Sequence, residues 1–159
     1  MLFAPIKKGV KMKRKNFGFT LIELLVVISI IGILASLTLV SYTGAQKQTR
    51  DTQRRSDLNQ IRNALENYAG SNNGLYPLGI DGDIGDLCDA LEPEFISFCP
   101  VDPIETQSYG FFSSATGDEF VIYALMEAGE DGGAWEICSN GKSGRSAAAP
   151  EASDDCGVE

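Results

Sequence analysis

The sequence predicts an α+β protein in which a long N-terminal α-helix, membrane-spanning in its first half, packs on a small antiparallel β-sheet head. Three observations predict this class. An apolar run at residues 19–40 is followed by a helical stripe of apolar residues that reaches Ala69. Aromatic and β-branched segments then alternate with glycine-containing turns. The length of 159 residues and the apolar content of 43% suit one domain with its own core.

The apolar run has 22 residues, and its one charged residue is Glu23. As a helix it would be ~33 Å long, about the thickness of the hydrocarbon core of a bilayer. Residues 1–18 contain six basic residues and no acidic one. We therefore expect a single-pass helix in the cytoplasmic membrane with its N-terminus inside and residues 70–159 outside. A cleaved secretory signal peptide is the alternative, although its apolar region is usually shorter.

A charged side chain inside a membrane is costly and normally has a partner. Cleavage after Gly18 would create one for Glu23, because it would free the α-amino group of Phe19. Residues 13–23, KRKNFG followed by FTLIE, resemble the class III signal of type IV pilins and type II secretion pseudopilins. The basic leader, the glycine before the cut, the phenylalanine after it and the glutamate at the fifth mature position carry the resemblance.

This resemblance implies a pilin fold and a set of residue roles. Gly18 would be the last leader residue, recognised by a prepilin peptidase and N-methyltransferase, and Phe19 would become the methylated N-terminus. Glu23 would pair with the terminal amine of a neighbouring subunit during assembly, to which Thr20 and Gly32 also contribute. The other implied partners are copies of the chain, other pilins, membrane lipid, an assembly platform protein and an ATPase.

Three further features concern the leader and the helix. Met12 would begin a complete seven-residue leader, so we expect it to be the true start of the protein. Val40 stands where many relatives have a kinking proline, so we expect less bending there. Gly32 and Ser36 form a small-xxx-small pair, which lets helices approach closely.

Residues 41–69 extend the same helix and become amphipathic. The apolar stripe that seats the head consists of Leu58, Ile61, Leu65 and Tyr68. Asp51 and Arg55 are predicted to form an exposed i,i+4 pair. The basic cluster of this segment consists of Lys47, Arg50, Arg54 and Arg55. Two interpretations of the cluster stay open, a solvated face near anionic lipid and charge complementarity with acidic heads of adjacent subunits.

In the head we expect a short helix at residues 84–91 and three strands, at 107–113, 119–127 and 134–139. Residues 141–150 are expected to form a loop of small residues. The segment from Asp81 to Asp86 is interpreted as an acidic turn. A calcium-binding loop is the alternative, but the segment lacks most of the ligand pattern that such a loop requires.

The head contains the four cysteines of the chain, and none of them forms a CxxC pair. Outside the membrane an even number of cysteines favours disulfides over a metal site. Three pairings are open, of which loop length favours Cys88 with Cys99 and Cys138 with Cys156. The second pair also resembles the C-terminal disulfide loop of many type IV pilins.

Several function classes are excluded or disfavoured. The absence of histidine excludes Ser-His-Asp and Cys-His catalysis and histidine-ligated metals. The net charge of −9 disfavours nucleic-acid binding by the head, which has eighteen acidic and two basic residues. With no phosphate-binding loop or nucleophile elbow in the sequence, we expect neither an enzyme nor a cofactor.

The predicted organisation is a leader (1–18), a transmembrane and filament-core helix (19–40), its amphipathic second half (41–69) and an extracytoplasmic head with a C-terminal disulfide loop (70–159). The predicted function is a structural subunit of a type IV pilus-like filament, at the cell surface or in the periplasm. The alternative is a type II secretion pseudopilin. An anchored enzyme or binding domain that never polymerises is a third class.

Overall fold

The computed structural model describes residues 18–78, 80–128, 133–153 and 156–158. The predicted start Met12 and most of the leader lie outside the described residues. The chain divides into two units, residues 1–40 and 41–159. The elements in chain order are α1 (Leu21–Ser71), β1 (Asp81–Asp83), α2 (Gly85–Leu91), β2 (Gly110–Ser113), β3 (Phe120–Leu125), β4 (Ala134–Cys138) and β5 (Ser143–Ser146).

Helix α1 is a single element of 51 residues, which confirms the prediction of one continuous helix. It ends at Ser71, and Asn73 and Gly74 follow in the left-handed region with φ of 57° and 81°. The N–H of Gly74 turns back to the carbonyl of Ala69 at 2.8 Å. Glycine suits this position because it adopts positive φ without steric cost.

The second unit contains one five-stranded sheet in the order β1-β2-β3-β4-β5, in which all neighbours are antiparallel. The three predicted strands correspond to β2, β3 and β4, so the predicted meander is confirmed. Both edge strands were missed. The predicted acidic turn begins with β1, and the predicted small-residue loop contains β5, because pairing with β2 and β4 orders these polar segments.

The core of this unit lies between the second half of α1 and the sheet. Leu58, Ile61 and Leu65 have no exposed surface, as the predicted stripe requires. They share one apolar cluster with the sheet residues Phe111, Phe120, Ile122 and Ile137 and with Leu87 and Leu91 of α2. Burying each of these large side chains contributes about 1.5–3 kcal/mol, so this cluster contributes substantially to the stability of the head.

Helix α2 covers the end of the core next to β1. It begins at Gly85 after Ile84, one residue later than predicted, and ends at Leu91 before Glu92. The predicted short helix is therefore confirmed within one residue. Its buried residues, Leu87 and Leu91, face the core.

Candidate processing and assembly site

The predicted cleavage point lies just before α1. Gly18, Phe19 and Thr20 have no regular secondary structure, and all three residues are exposed. Phe19 is 84% exposed, and among the described residues no atom beyond the adjacent ones lies within 4 Å of the position that a Cβ on Gly18 would take. A protease needs an accessible backbone that is not engaged in a helix or sheet. The Gly18–Phe19 peptide bond meets this requirement in the structure.

Thr20 and Glu23 form reciprocal hydrogen bonds at the start of α1. The backbone N–H and the hydroxyl of Thr20 both donate to Glu23 Oε2, at 2.8 and 2.7 Å. In return the N–H of Glu23 donates to Thr20 Oγ1 at 3.3 Å. This is a capping box, which satisfies N–H groups that the first turn of a helix leaves without partners. The Glu23 carboxylate therefore has donors within its own chain.

The capping role of these two residues was missed at the sequence level, although its signal, threonine followed three residues later by glutamate, was present. The family resemblance assigns Thr20 and Glu23 to assembly alone. The two roles are compatible. The described hydrogen bonds use Oε2 of Glu23, so Oε1 can accept a donor from another group.

The first part of α1 presents apolar side chains on all sides. Among residues 21–38 the exposed fractions of the large apolar side chains run from 47% for Val27 to 88% for Leu21. By length and composition α1 is able to cross a membrane. The hydroxyls of Ser29, Ser36 and Thr38 donate to backbone carbonyls of α1 itself. Since these polar groups are satisfied locally, lipid or another apolar helix can cover this surface.

Gly32 is an open position on this surface. In the described part of the chain, and leaving aside the adjacent residues and the local backbone of α1, no atom lies within 4 Å of the place that a Cβ would take there. Because a glycine adds no side chain, the backbone of a second helix can approach closely at this point. The assembly role assigned to Gly32 stays a prediction.

The second half of α1 carries a buried ion cluster centred on Arg54, which has no exposed surface. Its Nε donates to Asp102 Oδ2 at 2.7 Å and its Nη1 donates to Asp51 Oδ1 at 2.9 Å. Nη1 also lies 2.9 Å from Glu127 Oε1. Carboxylates on three sides hold the pKa of Arg54 above its ordinary value, chiefly through the hydrogen bonds to Asp102. The cluster ties α1 to the loop before β2 and to the end of β3.

Asp51 completes this cluster by binding backbone groups after β3. Its two carboxylate oxygens accept from the N–H groups of Glu127 and Ala128 at 2.9 and 2.8 Å. Asp51 is only 3% exposed. The prediction of an exposed Asp51–Arg55 pair is therefore wrong, since the Asp51 side chain lies inside the head and bonds Arg54 instead.

Arg50 and Glu127 form the outer part of the cluster. Arg50 Nε donates to Glu127 Oε1 at 2.7 Å. This hydrogen bond, together with those from Arg54, lowers the pKa of Glu127 to about 2. The interpretation of residues 47–55 as one exposed basic surface is wrong for Arg54 and incomplete for Arg50, because both arginines neutralise acids of their own chain.

Arg55 and Asp57 make two further contacts from α1, one to β4 and one to the residue that precedes β2. The Arg55 guanidinium carbon lies 4.1 Å from the centroid of the Trp135 ring, a cation–π contact. The Tyr109 hydroxyl, from a residue that is 1% exposed, donates to Asp57 Oδ2 at 2.7 Å. Burial raises the pKa of the Asp57 carboxyl above its ordinary value.

The four cysteines form two disulfides, in the pairing that loop length favours. Cys88 of α2 is bonded to Cys99, with Cα atoms 5.7 Å apart and a sequence separation of 11. Cys138 at the end of β4 is bonded to Cys156, with Cα atoms 6.3 Å apart and a separation of 18. Each bond closes a segment with few core residues, where a cross-link has the largest relative effect.

Glu136 lies beneath the second disulfide loop and is 1% exposed. It accepts hydrogen bonds from the Ser146 hydroxyl on β5 and, at 3.0 Å, from the N–H of Gly157. Among the described residues, Glu136, Cys138 and Cys156 are the one acidic and cysteine group close enough to share a metal ion. The two sulfur atoms are joined to each other, so they are not available as thiolate ligands.

Residues 13–39 match the family model described as the prokaryotic N-terminal methylation motif. This match covers the predicted cleavage point, the capping box and most of the apolar run.

Curated relatives extend the similarity to the head. The chain is 33% identical over 129 residues to type II secretion system core protein G of Aeromonas hydrophila, covering 76% of this chain and 89% of the relative. It is 30% identical over 130 residues to the same protein of Pseudomonas aeruginosa, covering 76% and 90%. Type IV major fimbrial protein FimA of Dichelobacter nodosus is 40% identical over 55 residues, 35% of each chain. No solved structure matches the chain.

Proposed function

The chain belongs to the type IV pilin and type II secretion pseudopilin family, and we propose that it is a non-enzymatic structural subunit of a type II secretion filament. The observation that carries the choice of filament is the extent of the similarity. The match to core protein G includes most of the head, whereas the match to fimbrial proteins covers about a third of the chain. The sequence alone favours a type IV pilus subunit, with a type II secretion pseudopilin as the alternative. The similarity to core protein G favours that alternative.

Processing is the first step that we propose. A prepilin peptidase on the cytoplasmic side cuts after Gly18, removes the leader and methylates the new N-terminus at Phe19. The methylation motif supports this step, as does the exposed backbone around Gly18. The helix begins only at Leu21, so the peptidase does not have to unwind α1 to reach the bond.

Anchoring follows from the apolar part of α1. The subunit is held in the cytoplasmic membrane by residues 19–40, with the basic leader inside and the acidic head outside. The exposed apolar side chains and the locally satisfied hydroxyls of this segment support its burial in lipid. Assembly then moves the segment from lipid into contact with the same segment of other subunits, driven by an assembly platform protein and its ATPase.

Glu23 and the new N-terminus set the register of the subunits. The cut frees a positive charge at the Phe19 nitrogen, four residues before Glu23 in sequence, and the capping-box hydrogen bonds leave Glu23 Oε1 able to accept a donor. In an apolar filament core neither charge is stable alone, and pairing between neighbours satisfies both. Thr20 orients the carboxylate in this scheme, and Gly32 lets the helices approach closely.

The second candidate is a subunit of a type IV pilus. It is favoured by the similarity to fimbrial proteins over the N-terminal helix and by the C-terminal loop that the Cys138–Cys156 disulfide closes. Complementation separates the two candidates. Restored protein secretion in a strain that lacks its own core protein G supports the first candidate. Surface filaments without restored secretion support the second.

The processing and assembly steps are tested by expressing the full chain with a prepilin peptidase and analysing it by N-terminal sequencing and mass spectrometry. The expected mature chain begins at a methylated Phe19. Glu23→Ala is expected to be processed but to form no filaments, whereas Glu66→Ala, an exposed glutamate later in α1, leaves assembly unchanged. Filaments of normal yield from Glu23→Ala would contradict the proposed register.

The start of the precursor is tested in a host that lacks the peptidase. N-terminal sequencing of the uncleaved chain is expected to begin at Met12. A precursor that begins at Met1 would show that the leader has the full 18 residues.

A further inference from the structure

The head carries a pair of large apolar residues, Phe98 and Val101, that are exposed on its surface. Phe98 is 71% exposed and Val101 is 69% exposed, although both are large apolar residues. Both line a hollow of about 350 Å³ beside α2 and a second hollow, of about 220 Å³, next to Gln53, Asp57 and Gln60 of α1. An exposed apolar pair rimmed by polar residues is typical of a surface that binds a partner.

The loop that carries this pair is held in place on both sides. Cys99 is buried and bonded to Cys88, and its N–H donates to Glu92 Oε1. Asp102, which follows Val101, is bound by the buried Arg54 at 2.7 Å. The two apolar side chains are therefore presented by a fixed backbone. A preorganised loop loses little conformational entropy when it binds, which favours a docking role.

A complementary hollow lies on α1, at the beginning of the second unit. It has a volume of about 280 Å³ and is lined by Tyr42, Ala45, Gln46, Thr49 and Arg50. Tyr42 is 61% exposed, so an aromatic ring lies open on this helix face. The lining residues described all belong to α1, so the loop that carries Phe98 and Val101 does not fill the hollow of its own chain. An aromatic and an aliphatic side chain would find apolar contact there.

Charge complementarity indicates that the partner is a second copy of the chain. Exposed Glu92 lines the same hollow as Phe98 and Val101, and exposed Glu94 lies two residues further along the chain. On the other surface, exposed Lys47 lies between the lining residues Gln46 and Thr49 in sequence. Opposite charges beside complementary apolar surfaces favour one orientation of docking. The two surfaces differ and lie on the same chain. Contacts of this kind are heterologous, and when they do not close into a ring they produce an open filament.

We propose that Phe98 and Val101 of one subunit dock into the Tyr42–Arg50 hollow of a neighbouring subunit. This inference rests on the proposed function, because it requires that the chain polymerises. It assigns to the Cys88–Cys99 disulfide the role of holding the docking loop, in addition to closing the segment after α2. It also explains why two large apolar side chains remain exposed on a head that buries its other aromatic residues more fully.

Photocrosslinking in filaments tests the contact directly. Phe98 is replaced by the photoreactive analogue p-benzoylphenylalanine in the full chain, sheared filaments are irradiated, and the adducts are mapped by mass spectrometry. The expected adducts join position 98 to residues 42–50 of another copy. Filaments whose adducts lie elsewhere, or which give none, overturn the contact and leave the proposed function standing. If the unsubstituted chain forms no filaments, the proposed function fails and the contact with it.

Matched substitutions give a second test. Phe98→Ser and Val101→Ser are each expected to reduce filament yield about tenfold, the effect of losing a central apolar contact. Leu125→Ser removes another exposed apolar residue, 43% exposed, and is the control, with an expected change below about twofold. All three chains should be processed normally and keep the melting temperature of the head. Equal losses in variants and control would overturn the docking role of the pair.

Discussion

The two halves of α1 place their polar and apolar groups in opposite ways. In the first half the apolar side chains are exposed, and each described polar group is satisfied inside the helix, as with Thr20 and Glu23. In the second half the apolar stripe is buried, and Arg54 reaches acids that are distant in sequence. The second half thus stabilises the head of its own chain. In the proposed function, lipid or another subunit covers the first half.

Breaking the buried ion cluster is expected to have the largest effect on the second half. Arg54→Met would leave Asp51 and Asp102 buried without the arginine that both bind, and removing one member of a buried pair costs about 3–5 kcal/mol. We expect this loss in the free energy of unfolding of the full chain in detergent, measured by urea denaturation with Trp135 fluorescence. Lys47→Met, at an exposed position, is the control, and an equal loss there would contradict the role of the cluster.

Two isoleucine substitutions, one in each half of α1, compare how much each half contributes to the stability of the head. Ile61 is fully buried, so Ile61→Ala is expected to lower the free energy of unfolding of the head by about 2–5 kcal/mol. Ile30 is 52% exposed, and Ile30→Ala is expected to leave the stability of the head unchanged. Urea denaturation in detergent measures both changes. A comparable loss from both substitutions would mean that the first half also supports the head.

Lowering the pH is expected to weaken the packing of the second half of α1 on the head, because Glu127 loses its negative charge. Its pKa falls from 4.5 to about 2 in the folded chain, so its contribution to stability is complete above about pH 4.5 and is lost as the pH falls toward 2. Asp57 acts in the opposite sense, since its raised pKa makes protonation favour the folded state. Glu127→Gln is expected to reduce the fall in melting temperature between pH 5 and pH 2.5. An unchanged fall would assign the acid sensitivity to other carboxyls.

The smallest expected effect concerns the first turn of α1. Thr20→Val removes the hydroxyl of the capping box, and loss of an N-cap costs about 0.5–2 kcal/mol locally. Faster amide hydrogen exchange is expected at residues 21–24 of the full chain in detergent, with no change in the head. Thr38→Val, whose hydroxyl donates to carbonyls within α1, is the control. Equal amide exchange at residues 21–24 in the two variants would show that the capping box does not stabilise the first turn of α1.

The sequence predicted the fold well where the signal was local. The length of α1, the stripe from Leu58 to Leu65, α2 and strands β2 to β4 follow from periodicity, turn residues and side-chain shape. The two edge strands could not be predicted in this way. Their segments are short and polar, and only pairing with β2 and β4 orders them.

The same distinction between local signals and long-range contacts applies to the candidate site. Residues 13–23 carry the cleavage and assembly motif in consecutive positions, so the sequence by itself determined Gly18, Phe19 and Glu23 as candidates. It could not determine where the charges of residues 47–55 point, because Arg54 bonds Asp102 across 48 positions and Arg50 bonds Glu127 across 77. Contacts between distant positions depend on how α1 packs on the sheet, and the tertiary structure alone decides that packing.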